Sequence, residues 1–382
     1  MTKIGEIAKN VTVQRRARRR CIQSRKEYLS ILKVNGIQSN GDGEQEWIRY
    51  WKELGVDPLK ENYRVFYPYM GADLGIIPAT TSHCVIEPIL NPPRMCDYYS
   101  DKNSFDKILP KGFCPNTILR KVQGHYYDEE YNSIMMGEAV LNQILKQCNC
   151  QKIIVKPAID SCCGANVELF IKGEDGNYYS PNDQTKLTYG WLQQSAGADT
   201  IVQEAIEQSD YMSRFNATSV NTIRMAVYRS VKDEQCHTIA AVMRMGASGK
   251  HVDNVHAGGR YIGVSQEGEV YKYTMDRFGI KQNVFNGIDF SKEMFFIPDF
   301  DKIKNFALEI SKRILHHRLL ALDIAIRKDG TPVLVEYNIA GYDMNLYQFY
   351  GCSALGKYVA EVHDYCLEHL NEIKEVVYVP HV

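Results

Sequence analysis

The stretch LLALDIAIRKDGTPVLVEYN, residues 319–338, contains two short apolar segments separated by Lys328-Asp329-Gly330-Thr331. Both segments are rich in residues that pack well on a pleated sheet, and the link between them carries turn residues. The pattern therefore predicts a β-hairpin.

This hairpin carries three oxygen-bearing side chains. Because side chains alternate between the faces of a strand, Glu336 and Asn338 point the same way, and Asp323 on the partner strand can reach that face. Two carboxylates and an amide are the hard oxygen ligands that Mg²⁺ prefers. The alternative is a surface hairpin with solvated charges. Asp323 and Glu336 lie within apolar segments, where an unpaired carboxylate is costly to bury, and this favours the metal site.

The composition is that of an ordinary soluble globular protein. The chain has 382 residues, of which 45% are hydrophobic and 24% charged, so we expect two or three subdomains. No apolar run approaches the ~20 residues of a membrane span. A net charge of -1 argues against nucleic acid and against a membrane surface as partners of the whole protein. Eleven cysteines without a recognisable signal peptide predict reduced thiols in the cytoplasm.

A regular order of strands and helices begins near residue 110. We predict a strand at Thr117–Val122, a helix at Ser133–Lys146 and a strand at Lys152–Pro157. The last strand ends in Lys156, and a turn of mostly small residues follows it. Small residues let backbone N–H groups approach an anion, and a lysine beside them supplies a charge for a phosphate. A plain hairpin is the alternative.

The next segments offer contacts for a nucleotide. A strand over residues 199–206 ends in polar residues, where backbone groups can pair with the edge of an adenine, and Asp210 can accept ribose hydroxyls. Two further strands, residues 220–229 and 238–245, are expected to pair with each other. Each contains one arginine, Arg224 or Arg244, whose burial a phosphate or carboxylate contact would offset. Either arginine could instead lie at an edge and reach water.

A glycine-rich connection over residues 246–259 is predicted to be a lid or substrate loop, because long polar connections are usually functional or mobile. The N-terminal region, to about residue 110, shows helical patterns but no assignable motif. Its basic cluster between Arg15 and Lys26 is interpreted as a solvated helix face. Within the glycine-rich loop, the candidate substrate contacts are Asp253, Asn254, His256, Gly258 and Gly259.

The order of these motifs resembles that of the ATP-grasp superfamily, and within it the sugar-transfer-associated ATP-grasp family. The resemblance covers about residues 110–355. It is carried by Ile154-Val155-Lys156-Pro157, Val220-Asn221-Thr222-Ile223-Arg224, Val252-Asp253-Asn254 with Gly258-Gly259, Leu322-Asp323-Ile324-Ala325 and Val335-Glu336-Tyr337-Asn338. One departure is the phosphate loop, where Cys162-Cys163 precede the single Gly164 in place of further glycines.

The resemblance implies an α+β or α/β fold in which two α/β subdomains grip ATP between antiparallel sheets, with an N-terminal helical and mixed region. The expected divisions are residues 1–110 (possibly substrate-binding), 111–205 and 206–382. ATP would be bound by Lys156, the Ser161 to Ala165 backbone including Gly164, the Gln203, Glu204 and Ile206 hinge, Asp210, and an upstream basic residue, Arg120 or Lys121. Asp323, Glu336 and Asn338 would hold Mg²⁺, and Arg224 and Arg244 would act on the transferred phosphate.

The activity implied by the resemblance is that of an ADP-forming ligase. It would join a carboxylate to an amine through an acyl-phosphate, with small, possibly sugar-linked substrates in surface-polysaccharide synthesis. Two alternatives stay open at this point. One is a kinase that phosphorylates a hydroxyl, and the other is a nucleotide-binding partner of a glycosyltransferase without turnover.

Overall fold

The structure is a computed structural model that describes residues 3–38, 40–159, 166–249 and 258–373. The chain divides into two compact units. Unit 1 contains residues 1–96, 211–324 and 337–381, and unit 2 contains residues 97–210, 325–336 and 382. Each unit is described separately below.

Residues 3–108 form one long helix followed by short helices. In the long helix α1, Tyr28, Ile31 and Leu32 are buried at the spacing of a single helix face. A π-helix, Ser82–Ile86, joins α4 to α5, and such segments recur at functional sites. The α-helices are α1 (Lys3–Val34), α2 (Glu44–Lys52), α3 (Lys60–Met70), α4 (Ala79–Thr81), α5 (Glu87–Leu90), α6 (Cys96–Ser100) and α7 (Phe105–Ile108).

Unit 2 is built on a seven-stranded antiparallel sheet. Along the sheet the strands follow the order β3-β2-β1-β7-β4-β5-β6. One core lies on this sheet and includes Leu119, Leu141, Ile153 and Phe170. The elements are β1 (Thr117–Val122), β2 (His125–Tyr127), β3 (Ser133–Ile134), α8 (Glu138–Gln147), β4 (Lys152–Pro157), β5 (Glu168–Lys172), β6 (Tyr178–Tyr179), α9 (Tyr189–Gln194) and β7 (Thr200–Glu204).

The second sheet has eight strands in the order β12-β11-β10-β9-β8-β16-β17, with β15 paired to β11. β13 and β14 form a separate two-stranded sheet. The strands are β8 (Thr222–Arg229), β9 (Cys236–Met245), β10 (Arg260–Val264), β11 (Glu269–Met275), β12 (Lys281–Gln282), β13 (Val284–Phe285), β14 (Ile288–Asp289), β15 (Phe295–Phe296), β16 (Leu319–Ile326) and β17 (Pro332–Asn338). The accompanying helices are α10 (Asp210–Ser213), α11 (Phe300–Ser311), α12 (Asn345–Gln348) and α13 (Val359–Glu368).

The N-terminal helices share a core with the strands of unit 1. Trp47, Trp51 and Phe66 belong to the same buried cluster as Ala226 and Tyr228 of β8. The sequence patterns of this region predicted helices but not this shared core. The division into residues 1–110, 111–205 and 206–382 stays a prediction.

Most predicted elements are present. The two strands of the hairpin are β16 and β17, and β8 pairs with β9 in an antiparallel manner, as expected. The helix predicted over Ser133–Lys146 begins only at Glu138, because Ser133 and Ile134 pair with β2 instead. Within the described ranges, no helix is both long enough and apolar enough to cross a membrane.

Candidate functional site

In unit 1, the carboxylate of Asp323 binds two arginines. Strands β16 and β8 pair in a register that places Asp323 opposite Arg224. Arg224 donates from Nε to Oδ1 at 2.7 Å and from Nη2 to Oδ2 at 2.6 Å, and Arg244 of β9 donates to Oδ2 at 2.9 Å. Asn338 adds a longer contact from Nδ2 to Oδ2 at 3.4 Å. We call these four residues the arginine–aspartate cluster.

Asp323 is only 2% exposed, so its charge depends on these partners. Burial acts to raise the pKa of the Asp323 carboxyl, but Arg224 and Arg244 outweigh it and hold the pKa below its ordinary value. The sequence predicted that Asp323 and Asn338 share a face, and their contact agrees with this. It did not predict that Arg224 and Arg244 converge on the same carboxylate.

The donor set of the hairpin suits a magnesium ion in type, since Asp323, Glu336 and Asn338 all offer oxygen. The Asp323 oxygen Oδ1 accepts a hydrogen bond from Arg224, and an ionised carboxylate oxygen can also bind a cation. Within the described residues, no three His, Cys, Asp or Glu side chains lie close enough together to hold a metal ion. The predicted magnesium ligands include two residues of these types, Asp323 and Glu336, and the third ligand is the amide of Asn338.

In unit 2, the predicted phosphate lysine Lys156 lies near a second lysine and a carboxylate. Lys102 Nζ is 3.4 Å from Glu336 Oε2, and the Lys102 backbone N–H donates to Ala158 O at 3.0 Å, two residues after Lys156. Desolvation, together with the positive charge of Lys102, lowers the pKa of Lys156 to about 8, while Glu336 acts in the opposite direction. Lys102, Lys156 and Glu336 form the lysine–glutamate cluster.

Lys102 was missed by the sequence reasoning, which searched for the upstream basic residue in β1. One local signal was available. Asp101 precedes Lys102, and its side chain accepts a hydrogen bond from the Asn103 backbone N–H, which caps the short helix Lys102–Ser104. Lys102 is only 8% exposed and lies beside Glu336, 234 positions later in the chain, so its surroundings depend on the fold.

Arg120 and Lys121, the two upstream candidates, make contacts inside unit 2. Arg120 is fully buried, pairs with Asp106 and donates to Asn103 O at 2.9 Å. Lys121 donates to the carbonyl oxygens of Leu192 and Ala196, at 3.0 and 3.2 Å. The structure thus gives both residues structural partners, and a phosphate contact by Arg120 stays a prediction.

The predicted adenine hinge lies at the end of β7. Gln203 is buried and donates to Pro115 O at 3.2 Å, whereas the Glu204 carboxylate accepts from Arg327 at 2.6 Å and from Asn116 at 2.7 Å. Both side chains therefore stabilise unit 2, which leaves the backbone beyond β7 as the candidate for adenine. Ile206 follows the strand, and Asp210 is exposed at the first position of α10.

Several predicted site residues lie outside the described ranges, namely Ser161, Gly164, Asp253, Asn254 and His256. Gly258 and Gly259 are described, directly before β10. Gly258 has φ of 90°, in the left-handed region that glycine adopts without strain. These two glycines of the predicted substrate loop therefore lie just before a buried strand, and their role in substrate binding stays a prediction.

The family was established by comparison with known proteins. The model of the sugar-transfer associated ATP-grasp family matches residues 85–363, well over half of the chain. The chain belongs to this family. The resemblance and the ATP-grasp fold predicted from the sequence are thereby confirmed, and the match extends upstream of the expected residue 110 to include α5 and Lys102. No curated protein sequence matches this ATP-grasp protein.

Solved structures to which this chain is similar include two ligases and one synthetase. A D-alanine-D-alanine ligase from Coxiella burnetii is 10% identical, with a TM-score of 0.39 over 72% of this chain and 59% of that one. The D-cycloserine synthetase DcsG is 10% identical, with a TM-score of 0.41 over 74% and 73%. VanG D-Ala:D-Ser ligase from Enterococcus faecalis is 12% identical, with a TM-score of 0.40 over 71% and 61%. This chain therefore covers less than two thirds of the length of the Coxiella burnetii ligase and of VanG.

Proposed function

We propose that this protein is an ADP-forming, ATP-dependent ligase that joins a carboxylate to an amine through an acyl-phosphate. The observation that carries the proposal is the lysine–glutamate cluster. Burial, and then the positive charge of Lys102, lower the pKa of Lys156, and a bound polyphosphate would offset both effects because it stabilises the charged amine. Because the chain belongs to an ATP-grasp family, we assign ATP as this polyphosphate.

Lys156 and Lys102 are assigned to the phosphates of ATP. Lys102 is preferred to Arg120 because Lys102 lies beside Lys156 and its ion pair to Glu336 is 3.4 Å long, whereas Arg120 is fully buried and held by both Asp106 and the Asn103 carbonyl. The remaining nucleotide contacts follow the family pattern. They are the backbone at Ser161 and Gly164, the hinge at Gln203, Glu204 and Ile206, and Asp210 at the ribose.

Asp323, Glu336 and Asn338 are assigned to magnesium. When bound, Mg²⁺ would neutralise charge on the phosphate oxygens of ATP and on the group being transferred. Of the two carboxylates, Glu336 is the more accessible to a metal ion, because its side chain is 32% exposed and its ion pair with Lys102 is 3.4 Å long. Asp323 keeps its arginines in place at the same time.

The reaction needs no side-chain nucleophile. A carboxylate oxygen of the substrate attacks the γ-phosphorus of ATP, ADP leaves, and an acyl-phosphate forms. The amine then attacks the acyl carbon, phosphate leaves, and the amine nitrogen loses a proton as the amide forms. Arg224 and Arg244 are assigned to the negative charge on the acyl-phosphate, because both guanidiniums remain partly accessible beside Asp323, at 14% and 13% side-chain exposure.

A sugar-linked acid or amine is the proposed substrate class, and surface-polysaccharide or sugar-conjugate synthesis the proposed setting. Both rest on the description of the family, sugar-transfer associated ATP-grasp. Contacts to the substrate are assigned to the loop that carries Asp253, Asn254, His256, Gly258 and Gly259. A cytoplasmic location agrees with the supply of ATP that the reaction needs.

Product analysis tests the ligase directly. Incubation with ATP, Mg²⁺, candidate sugar acids and amines should release ADP and phosphate only when both acceptors are present, with one amide formed per ADP. Mass spectrometry identifies the product. A phosphorylated product formed without an amine would show a kinase instead, and nucleotide binding with no product under any acceptor would show a non-catalytic protein.

Replacement of Glu336 by glutamine is expected to lower Mg²⁺-dependent turnover by about 10²–10³-fold, because the amide keeps the shape but loses the charge that a hard cation needs. The fold should survive, since the side chain is partly exposed. Steady-state rates over a range of Mg²⁺ concentrations check this. Glu309→Gln, an exposed carboxylate of α11 paired with Lys312, serves as the control. Wild-type turnover in Glu336→Gln would remove the residue from the metal site.

A further inference from the structure

Two buried polar side chains in unit 1, Glu87 and Asn91, hold the ends of the metal-binding hairpin through its backbone. They are four positions apart, at the start and just past the end of α5, and both are 0% exposed. Residues at this spacing lie on the same face of a helix. No role was predicted for either residue from the sequence.

Both oxygens of the Glu87 carboxylate have partners. Oε1 accepts from Ser82 Oγ at 2.8 Å and lies 2.8 Å from His83 Nδ1, and Oε2 accepts from the backbone N–H of Gly341 at 2.7 Å and of Tyr342 at 3.2 Å. The π-helix explains the first two contacts, because its wider turn brings both positions 82 and 83 onto the face of position 87.

Asn91 uses its whole hydrogen-bonding capacity on the hairpin. Oδ1 accepts from the backbone N–H of Arg318 and of Leu319, both at 2.9 Å, and Nδ2 donates to Leu319 O at 2.7 Å and to Ile339 O at 2.9 Å. Leu319 opens β16, and Ile339 directly follows Asn338. One amide group therefore ties the start of the first hairpin strand to the end of the second.

Together these contacts fix the backbone on the C-terminal side of Asn338 at three points, Ile339, Gly341 and Tyr342. The charge on Glu87 is retained in the interior. Burial acts to raise the pKa of its carboxyl, but His83, Ser82 and the Tyr342 N–H lower the pKa below its ordinary value. A neutral carboxylic acid at this position would turn one acceptor oxygen into a donor, facing other donors.

We propose that Glu87 and Asn91 are positioning residues that set the geometry of the metal ligands by anchoring the backbone beside Asn338 and at the start of β16. The proposal rests on the assignment of Mg²⁺ to Asp323, Glu336 and Asn338. Residues that orient the ligands of a metal through hydrogen bonds typically change metal affinity or activity by about 10–100-fold when replaced.

The test measures how much Mg²⁺ is needed for ATP binding. Isothermal titration calorimetry with ATP is repeated over a series of Mg²⁺ concentrations for the wild type, Glu87→Gln and Asn91→Asp. Glu87→Gln removes the negative charge that binds the Gly341 and Tyr342 N–H groups, and Asn91→Asp places an oxygen against the carbonyls of Leu319 and Ile339. Both variants should need about tenfold more Mg²⁺ for half-maximal binding.

Glu44→Gln is the matched control. Glu44 is also buried in unit 1, where it pairs with Arg64 at 2.6 Å, and its contacts do not touch the hairpin. It should lower the melting temperature as the other two variants do and leave the Mg²⁺ requirement unchanged. Ser82→Ala removes a single contact of Glu87 and keeps the test open if the other variants do not fold; it should raise the Mg²⁺ requirement about twofold to threefold.

Two failures are distinguishable. If the wild type binds ATP with a Mg²⁺ requirement and every folded variant keeps the wild-type requirement while losing stability, Glu87 and Asn91 are structural only and the inference is overturned. If the wild type shows no Mg²⁺-dependent binding of ATP, the proposed function itself fails. An increased requirement in the hairpin-linked variants, with none in Glu44→Gln, supports the inference.

Discussion

Replacement of Asp323 by asparagine is expected to lower the free energy of unfolding of unit 1 by about 3–5 kcal/mol and to abolish turnover. The stability loss follows from the arginine–aspartate cluster. Without the carboxylate, the largely buried guanidiniums of Arg224 and Arg244 lose the negative charge that Asp323 supplies, which costs more than the loss of an exposed ion pair. Urea unfolding followed by circular dichroism measures the change.

Two further variants separate stability from function at this position. Glu234→Gln removes an exposed carboxylate that pairs with Arg318 at 2.7 Å, and it should cost less than about 1 kcal/mol. Replacing the three charged residues of the cluster, with Arg224→Met, Arg244→Met and Asp323→Leu together, should recover most of the lost stability without turnover. If Asp323→Asn unfolds at the wild-type urea concentration, the arginine contacts do not stabilise unit 1.

Lys156→Met should weaken ATP binding about 100-fold and yet stabilise the protein by about 1–2 kcal/mol at neutral pH. Both effects have one cause. The folded protein lowers the pKa of Lys156 to about 8 through burial and the repulsion of Lys102, so at neutral pH the fold holds a charge that it disfavours. Methionine has a similar length without that charge. Calorimetric titration with ATP and thermal unfolding measure the two changes.

The same pKa sets a pH dependence. Between about pH 8 and the ordinary lysine value near 10.5, the unfolded chain binds the Lys156 proton and the folded protein does not, so wild-type stability should gain from this group as the pH rises. ATP affinity should fall over the same rise, because the cation is lost. Lys152→Met, at the exposed start of the same strand, is the control and should keep wild-type affinity. Equal affinities in Lys156→Met and wild type would contradict the assignment.

Local patterns in the sequence were enough to predict the strands that carry the site. The alternation of β16 and β17 placed Asp323 and Asn338 on a common face, and the antiparallel pairing of β8 with β9 followed from two adjacent apolar segments. Lys156 was placed at a strand end because Pro157 cannot donate to the sheet. In each case the deciding residues lie within about twenty positions of one another.

Contacts between distant parts of the chain could not be predicted in this way. Arg224 lies 99 residues before Asp323, and Lys102 lies 234 before Glu336, so neither pair leaves a periodic pattern. The upstream phosphate contact was expected at Arg120 or Lys121 of β1, and the sequence does not show that Asp106 pairs with Arg120. The role of Arg120 stays a prediction. The contacts of Glu87 and Asn91 near the hairpin could not be predicted either, because their partners there are backbone groups, and every residue has a backbone.

The lowered pKa of Lys156 also makes this side chain chemically distinctive. At pH 8 about half of the Lys156 amines are uncharged, against well under a hundredth for a lysine with the ordinary pKa near 10.5. Only the uncharged amine is a nucleophile, so cyanate or an activated ester should modify Lys156 ahead of the surface lysines. If the proposed ligase forms its acyl-phosphate without an amine acceptor, the Lys156 amine would attack the acyl carbon, phosphate would leave, and the acyl group would stay on this protein as an amide.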